Sequence, residues 1–283
     1  MHFHTHPTMY VRDIQLKVSN LSKSIEFYKN IVGFNVIRQD KKIAHLSANG
    51  KTSILTIEQL DEVEPKQLRT TGLYHFAILL PSRKELAKFI HHLMNTRYPL
   101  QGASDHIVSE ALYLVDPDGN GVEVYCDRSA SEWKWSHGEV LMATDRLDIE
   151  DILSERNGEE WSGLSNGTVM GHIHLHVSDL KESETFYCNG LGFEVVCCYG
   201  TQALFVSSNG YHHHIGLNTW NGVGAPPPSH NSVGLEHFTI SFPSEENRQA
   251  SIERLHKLGA SVETEDDNYT VIDPSGNKLL LTI

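Results

Sequence analysis

The chain has 283 residues, of which 39% are hydrophobic and 21% are charged. These proportions are those of an ordinary globular protein, and the length favours about two domains. The formal net charge of −13 is spread along the chain, so binding to nucleic acid or to an anionic membrane is not expected. No apolar run is long enough for a membrane span, and the N-terminus lacks the apolar stretch of a signal peptide. A cytoplasmic location is therefore expected.

One pattern, a strand followed by a helix and three shorter strands, occurs four times along the chain. In each copy an alternating strand leads to a short polar residue, after which apolar residues recur at helical spacing. The polar residues are Asn20, Ser82, Asp179 and Ser244, whose side chains are typical of helix N-termini. The repeat predicts an α+β fold of four βαβββ units.

The first two units are predicted within residues 10–127. The first begins with DIQLKV, and the second begins at His75 with HFAILL. The second unit ends in DHIVSEALYLVDPDGNGVE, which places His106, Tyr113, a DPDG turn and Glu123 at strand-turn-strand spacing.

Residues 128–170 separate the two halves of the chain. They contain tryptophans and a short amphipathic run, DIEDILSE. We interpret this segment as a linker with some structure that packs against one half.

The third and fourth units are predicted within residues 171–283. The third begins at His172 with HIHLHV and later contains HHHIGLN, and the fourth begins at His237 with HFTISF. Between them, the Pro-rich stretch GVGAPPPSHNSVG at 222–234 indicates an extended surface loop, with a lid over the third unit as the alternative.

Two further features receive no functional role. The four cysteines form no zinc-like CxxC pair and are expected to be free thiols. His2, His4 and His6 alternate at the N-terminus, where a frayed end is expected in preference to a metal site.

Three residues of the repeat, His75, Glu123 and His172, together offer two imidazoles and one carboxylate. This is the minimal ligand set of a non-haem Fe(II) centre. Each residue alone has a plainer explanation, since a histidine at a strand start is usually structural and a single glutamate can simply line a cavity. Their occurrence at equivalent positions of the repeat favours a metal site.

On these residues the chain resembles the vicinal oxygen chelate superfamily and, within it, the type I extradiol catechol dioxygenases. The resemblance implies that the four βαβββ units pair into two cup-shaped mixed sheets and that the metal lies inside a cup. The dioxygenase signature is matched by Ser104-x-His106, Leu112-Tyr113, Asp116-Pro117, Gly119 and Glu123. Only Ser104 departs from the residues usual at its position.

The resemblance extends to the third unit. There His172 matches the family's first metal histidine. The segment HHHIGLN at 212–218 matches the stretch that carries the family's acid-base histidine, which aligns with His213 or, after a slip of one residue, with His214.

The fourth unit departs from the family pattern. In better-known members the last unit supplies a histidine and the glutamate, but here His237 is followed by Leu280 where the glutamate should stand, and Thr270 takes the tyrosine position. Pairing the second unit with the third gathers the complete ligand set, whereas pairing the first with the fourth leaves only Asp13, His237 and Leu280. A metal cup between the second and third units is therefore predicted.

The resemblance implies an Fe(II)-dependent extradiol dioxygenase that inserts both atoms of O2 into the ring of a catechol-type aromatic diol. Mn(II) is the alternative metal, and whether copies of the chain associate is left open. His213 would be the general acid-base catalyst, Tyr113 would donate a hydrogen bond to a substrate oxygen, and His106 would steady the deprotonated diol. The metal ligands would be His75, Glu123 and His172.

Three alternatives stay open at this point: cleavage of a hydroquinone, a lyase or isomerase of the glyoxalase kind, and a metal-free small-molecule binding protein. A glyoxalase-type site usually needs a carboxylate from each half of the cup, but the third unit has Gly216 at the position equivalent to Glu123. A metal-free binding protein has little use for the clustered histidines and glutamate.

Overall fold

A computed structural model describes residues 3–265 and 268–283 of the chain. Each of its four units has a strand, a helix and three further strands in that order. The predicted α+β class and the βαβββ order of the units are thus confirmed. Within the described residues, no helix has both the length and the apolar character needed to cross a membrane.

The elements of the first half are as follows. The first unit consists of β1 (Tyr10–Val18), α1 (Leu21–Phe27), β2 (Asn35–Gln39), β3 (Ile43–Ser47) and β4 (Leu55–Gln59). The second unit consists of β5 (Gly72–Leu79), α2 (Arg83–Thr96), β6 (Gly102–Asp105), β7 (Ser109–Val115) and β8 (Gly121–Asp127).

The connecting segment and the second half continue the same pattern. The segment holds a 3-10 turn (Ala130–Glu132), the short strands β9 (Trp135–Ser136), β10 (Glu139–Val140) and β11 (Asp145–Arg146), and α3 (Ile149–Ser154). The third unit consists of β12 (Val169–His176), α4 (Leu180–Glu184), β13 (Glu194–Tyr199), β14 (Ala203–Ser207) and β15 (Ile215–Asn218). The fourth unit consists of β16 (Gly234–Ser241), α5 (Glu245–Lys257), β17 (Val262–Glu265), β18 (Asn268–Ile272) and β19 (Lys278–Thr282).

The main helices begin at the predicted capping residues. The side chains of Asn20, Ser82, Asp179 and Ser244 each accept a hydrogen bond from a backbone N–H of the first helical turn. These bonds satisfy donors that have no partner within the helix itself. One local feature was not predicted: α1 and α4 each continue into a π-helical segment, Tyr28–Val32 and Thr185–Leu191.

The strands form two large sheets, and each sheet takes one unit from each half of the chain. The eight-stranded sheet has the order β17-β18-β19-β16-β1-β4-β3-β2 and so joins the fourth unit to the first. The nine-stranded sheet has the order β11-β6-β7-β8-β5-β12-β15-β14-β13 and joins the second unit to the third. The joins are the antiparallel pairs β1 with β16 and β5 with β12.

One continuous hydrophobic core holds the two sheets together. On β12, Ile173 and Leu175 are fully buried in this core. Because side chains alternate across a strand, His172 and His174 lie on the opposite face of the same sheet. The alternation therefore directs the polar residues of HIHLHV into the concave side of the nine-stranded sheet.

Two buried tyrosine–aspartate pairs connect the units of each half across the two sheets. The Tyr28 hydroxyl donates to Asp116 Oδ2 at 2.8 Å, and the Tyr187 hydroxyl donates to Asp273 Oδ2 at 2.9 Å. Asp116 belongs to the DPDG turn of the second unit, and Asp273 belongs to the matching DPSG turn of the fourth. Each aspartate thus shapes its own turn and also binds the helical segment of the preceding unit.

The connecting segment packs against the second unit through α3. Arg83 on α2 binds Glu110, Asp151 and Glu155 with N–O distances of 2.6, 2.7 and 2.5 Å. Glu110 is almost fully buried and also contacts Arg128 at 3.1 Å. The Arg83 guanidinium therefore connects β7 to the helix of the linker.

Two further segments have definite positions. The 222–234 loop lies along residues 64–71, where Pro226 accepts a hydrogen bond from the Thr71 N–H at 2.9 Å. The expectation of a frayed N-terminus is wrong for His4, which is buried with its Nε2 2.8 Å from the Gly171 carbonyl oxygen. His2 lies outside the described residues.

Candidate active site

Three side chains from three neighbouring strands meet on the concave face of the nine-stranded sheet. Glu123 on β8 pairs with Ala77 on β5, and Ala77 pairs in turn with His172 on β12. His75 precedes Ala77 by two positions and therefore projects from the same face. The potential ligand atoms of His75, Glu123 and His172 all lie within 4.8 Å of one another, and all three residues are buried.

The triad is arranged around the carboxylate. Glu123 Oε2 lies 3.0 Å from His75 Nε2 and 3.2 Å from His172 Nε2. Burial alone would raise the pKa of Glu123, but His172 and His75 outweigh this effect and hold the pKa well below its usual range. Burial lowers the pKa of His172, against the opposing pull of Glu123. An ionised carboxylate beside a neutral His172 imidazole suits a metal ion, which binds the deprotonated forms of these groups.

The residues fit a divalent cation. His75 Nε2 is buried and lacks a hydrogen bond within the described part of the chain, although it points at the carboxylate. A buried imidazole nitrogen without a hydrogen-bond partner is costly unless something else satisfies it. Two imidazoles and one carboxylate on one face are a recognised donor set for Fe(II), with positions left for other ligands.

The triad forms part of the wall of a cavity of about 630 Å³. Its lining also includes Tyr113 and His106 from the second unit, and His174, Phe205, His213 and Trp220 from the third unit and the loop after it. The cavity is much larger than three ligand atoms require, so it has room for an organic molecule beside the triad.

His106 and Tyr113 form a connected pair. Tyr113 lies opposite Glu123 on the neighbouring strand. Its hydroxyl is 2.6 Å from His106 Nε2, and His106 Nδ1 is 2.6 Å from the carbonyl oxygen of Ala143. Burial and the nearby Glu123 charge raise the pKa of Tyr113 well above its usual value, so its hydroxyl remains protonated.

Of the two candidate acid-base histidines, His213 faces the cavity and His214 does not. The ring of His213 packs against that of His172 at an angle of 50°, with the ring centres 4.1 Å apart. His214 is fully buried on the other side, where its nitrogens approach Ser207 Oγ at 3.1 Å and the Phe3 carbonyl oxygen at 3.0 Å.

His174 is a cavity residue that the sequence analysis assigned no role. It is buried, and its Nε2 lacks a hydrogen bond within the described chain. Its ring occupies the space above Gly216, where an added Cβ would lie 2.8 Å from the imidazole carbons. The alternating pattern of HIHLHV predicts that His174 shares a face with His172. Its contact with Gly216 is not predictable from the sequence, because it depends on how the strands pair.

Among its described residues, the eight-stranded sheet has no comparable group of ligands. Its strand pairing places Asp13 opposite Thr239 and Thr239 opposite Leu280, as His172, Ala77 and Glu123 are placed in the other sheet. The Asp13 carboxylate is bound by Arg12 at 2.7 Å and by the Thr239 hydroxyl at 2.8 Å. Among the described residues, the His75 triad is the one group with the spacing of a metal site.

The sequence matches a protein-family model, the Glyoxalase/Bleomycin resistance protein/Dioxygenase superfamily, over residues 10–124 and 169–281. The chain belongs to this superfamily. A superfamily relative, catechol-2,3-dioxygenase from Bacillus subtilis (strain 168), is 44% identical over 272 residues and covers 95% of each chain. The predicted resemblance is therefore confirmed.

Two solved structures agree with the superfamily fold. Glyoxalase I from Zea mays matches 99% of this chain and 94% of its own length, with a TM-score of 0.60 and 16% identity. The cppA protein from Streptococcus pneumoniae TIGR4 matches 97% of this chain and 99% of its own, with a TM-score of 0.55 and 9% identity. At these identities the likeness concerns the fold alone.

Proposed function

We propose that the protein is a metal-dependent extradiol dioxygenase that cleaves the ring of a catechol-type diol with O2. The observation that carries this proposal is the meeting of His75, Glu123 and His172 in the wall of a cavity. The chain in which they meet is 44% identical to a catechol-2,3-dioxygenase over nearly its whole length.

Fe(II) is the proposed metal, held by His75 Nε2, His172 Nε2 and the Glu123 carboxylate. Such a centre lowers the pKa of a bound hydroxyl and offers open positions for a diol and for O2. We propose that the protein acts in the cytoplasm on small aromatic diols. Mn(II) is the alternative metal, which elemental analysis distinguishes from iron.

His213 is proposed as the acid-base residue. Burial, the surrounding histidines and in particular His172 lower its pKa well below the usual value, so its imidazole is neutral before reaction. A neutral imidazole lining the cavity can accept the proton of a substrate hydroxyl and return it later in the reaction.

Tyr113 and His106 are proposed to bind the oxygen atoms of the diol. When His106 is neutral, the Ala143 carbonyl accepts its Nδ1 proton, and Nε2 then accepts the Tyr113 proton. When His106 is protonated it donates to the Tyr113 oxygen, and the hydroxyl is free to donate to the substrate. The pair can therefore receive a proton from the diol and stabilise the resulting anion.

The glyoxalase alternative is disfavoured by the space around Gly216. A carboxylate from the third unit would have to stand at this position, which the ring of His174 covers. The metal-free alternative leaves the buried His75 Nε2 beside Glu123 Oε2 at 3.0 Å with no well-formed hydrogen bond within the described residues.

The decisive experiment is anaerobic purification followed by metal analysis and oxygen uptake on catechol, 3-methylcatechol and hydroquinone. We expect about one iron per chain, and a yellow ring-fission product from the catechols, formed with equimolar consumption of O2. Uptake on hydroquinone alone would select the hydroquinone alternative. Iron-loaded protein that consumes no O2 with any of these diols would refute the proposal.

A variant pair makes the metal assignment specific. His172→Ala should lose the metal, whereas Asp13→Ala, at the equivalent position of the eight-stranded sheet, should retain it. Equal metal content in the two variants would contradict the assigned ligands.

A further inference from the structure

A chain of hydrogen bonds leads away from the cavity behind His213. Its Nδ1 lies 2.8 Å from Nδ1 of His212, and Nε2 of His212 lies 2.8 Å from Oδ1 of Asp127. His212 is fully buried, whereas Asp127 at the end of β8 retains some contact with solvent. Carboxylate, first imidazole and second imidazole are thus connected in one line that ends at the cavity wall.

The Asp127 carboxylate determines which nitrogen of each histidine carries a proton. Asp127 can only accept, so Nε2 of His212 carries the proton that it donates. A neutral His212 then has an unprotonated Nδ1, which accepts from Nδ1–H of His213. The remaining nitrogen of His213, Nε2, is left with its lone pair on a side chain that lines the cavity.

We propose that Asp127 and His212 are positioning residues that hold His213 in the tautomer whose Nε2 accepts the substrate proton. This inference rests on the proposed function, because it gives the acid-base residue of that reaction its orientation. Asp127 is not one of the described residues that line the cavity, so its carboxylate acts through His212. Without the hydrogen bonds from Asp127 and His212, His213 could equally carry its proton on Nε2. That nitrogen could then not accept the substrate proton.

The carboxylate has a second partner that permits a control. The Tyr211 hydroxyl donates to the same Oδ1 of Asp127 at 3.2 Å and accepts from the Tyr125 hydroxyl at 2.7 Å. Tyr211→Phe removes a hydrogen bond from Asp127 but leaves the line to His213 in place. If Asp127 had only a structural role, loss of its charge and loss of the tyrosine bond would have similar effects.

The kinetic test compares Asp127→Asn, His212→Leu, His212→Asn and Tyr211→Phe in the iron-loaded enzyme. Asp127→Asn and His212→Leu are expected to lower kcat by about 10- to 100-fold with KM changed less than about threefold and iron content unchanged. His212→Asn should recover much of the loss, because its side-chain oxygen can accept from His213 in place of Nδ1. Tyr211→Phe should stay within about twofold of the wild type.

A spectroscopic test reads the tautomer without turnover. In full-length protein labelled with 15N-histidine and loaded with diamagnetic Zn(II), His213 should show a protonated Nδ1 and an unprotonated Nε2. The resonances are assigned by their loss in His213→Phe. In His212→Leu the two forms of His213 should become mixed or reversed.

The outcomes separate this inference from the proposed function. A wild-type enzyme that cleaves diols, with Asp127→Asn and His212→Leu both retaining full kcat, would overturn the inference alone. An unchanged His213 tautomer in His212→Leu would overturn it as well. A wild-type enzyme without ring-cleaving activity would overturn the proposed function, and the positioning role would fall with it.

Discussion

Replacement of Tyr28 by phenylalanine tests how the units are held together. Its hydroxyl is fully buried and donates to Asp116, whose two oxygens also accept from the backbone of Asp118 and from the backbone and side chain of Asn120. A hydrogen bond to a charged group contributes about 1.5–3 kcal/mol. Since three other donors remain on Asp116, we expect Tyr28→Phe to lower the free energy of unfolding by about 2 kcal/mol near neutral pH.

The effect of Tyr28→Phe should depend on pH. Burial raises the pKa of Asp116, and the hydrogen bonds from Asn120 and Tyr28 lower it in part. A carboxyl whose folded pKa is raised stabilises the fold most when protonated, and this contribution is lost as the pH rises through the folded pKa. Losing the Tyr28 donor raises that pKa further. The difference between variant and wild type should therefore shrink to about 1 kcal/mol as the pH falls from neutral through the raised folded pKa of Asp116.

The assay is urea unfolding of metal-free protein at several pH values, followed by circular dichroism. Tyr187→Phe removes the matching bond to Asp273 in the other half and should behave similarly. Tyr199→Phe alters an exposed side chain and should have no measurable effect. A Tyr28→Phe protein as stable as the wild type at pH 7, or a difference that grows on acidification, would refute the reasoning.

Three further predictions concern the site and the linker. Glu123→Ala should bind no iron and show no oxygen uptake, and full activity in this variant would rule out its role as a ligand. Gly216→Ala should displace the His174 ring and lower the free energy of unfolding by about 1–3 kcal/mol through overpacking. We also expect a raised KM in steady-state kinetics. Unchanged stability and KM would contradict the close contact between residue 216 and His174. Arg83→Met leaves the buried Glu110 with Arg128 alone, so we expect the free energy of unfolding, measured in urea, to fall by about 2 kcal/mol. Proteolysis within residues 128–170 should become faster. Equal digestion rates in variant and wild type would argue against linker docking by Arg83.

The fold was predictable because its signals are local. The capping residues and helical spacing mark each βαβββ unit, and they depend on neighbours a few positions away. The π-helical segments and the burial of His4 were not predictable, since both depend on packing against distant parts of the chain. The tyrosine–aspartate pairs are hidden for the same reason, because Tyr28 and Asp116 are 88 positions apart.

The candidate site, like the fold, was only partly predictable from the sequence. Ligand chemistry was enough to single out His75, Glu123 and His172, because few residue types bind iron and the repeat relates their positions. The structure brings these side chains together, and their roles remain a proposal. The line from Asp127 to His213 carries no sequence signal, since Asp127 and His212 are 85 positions apart.

Each sheet combines one unit from the first half of the chain with one unit from the second half, and this topology constrains how the protein folds. Residues 10–127 supply four strands of each sheet, so a nascent chain of that length carries two unpaired sheet edges, β1 and β5. Those edges are closed by β16 and β12, which are synthesised much later. We therefore expect the first half alone to aggregate or to bind a chaperone on the ribosome, and both cups to form in one cooperative step once the second half has emerged.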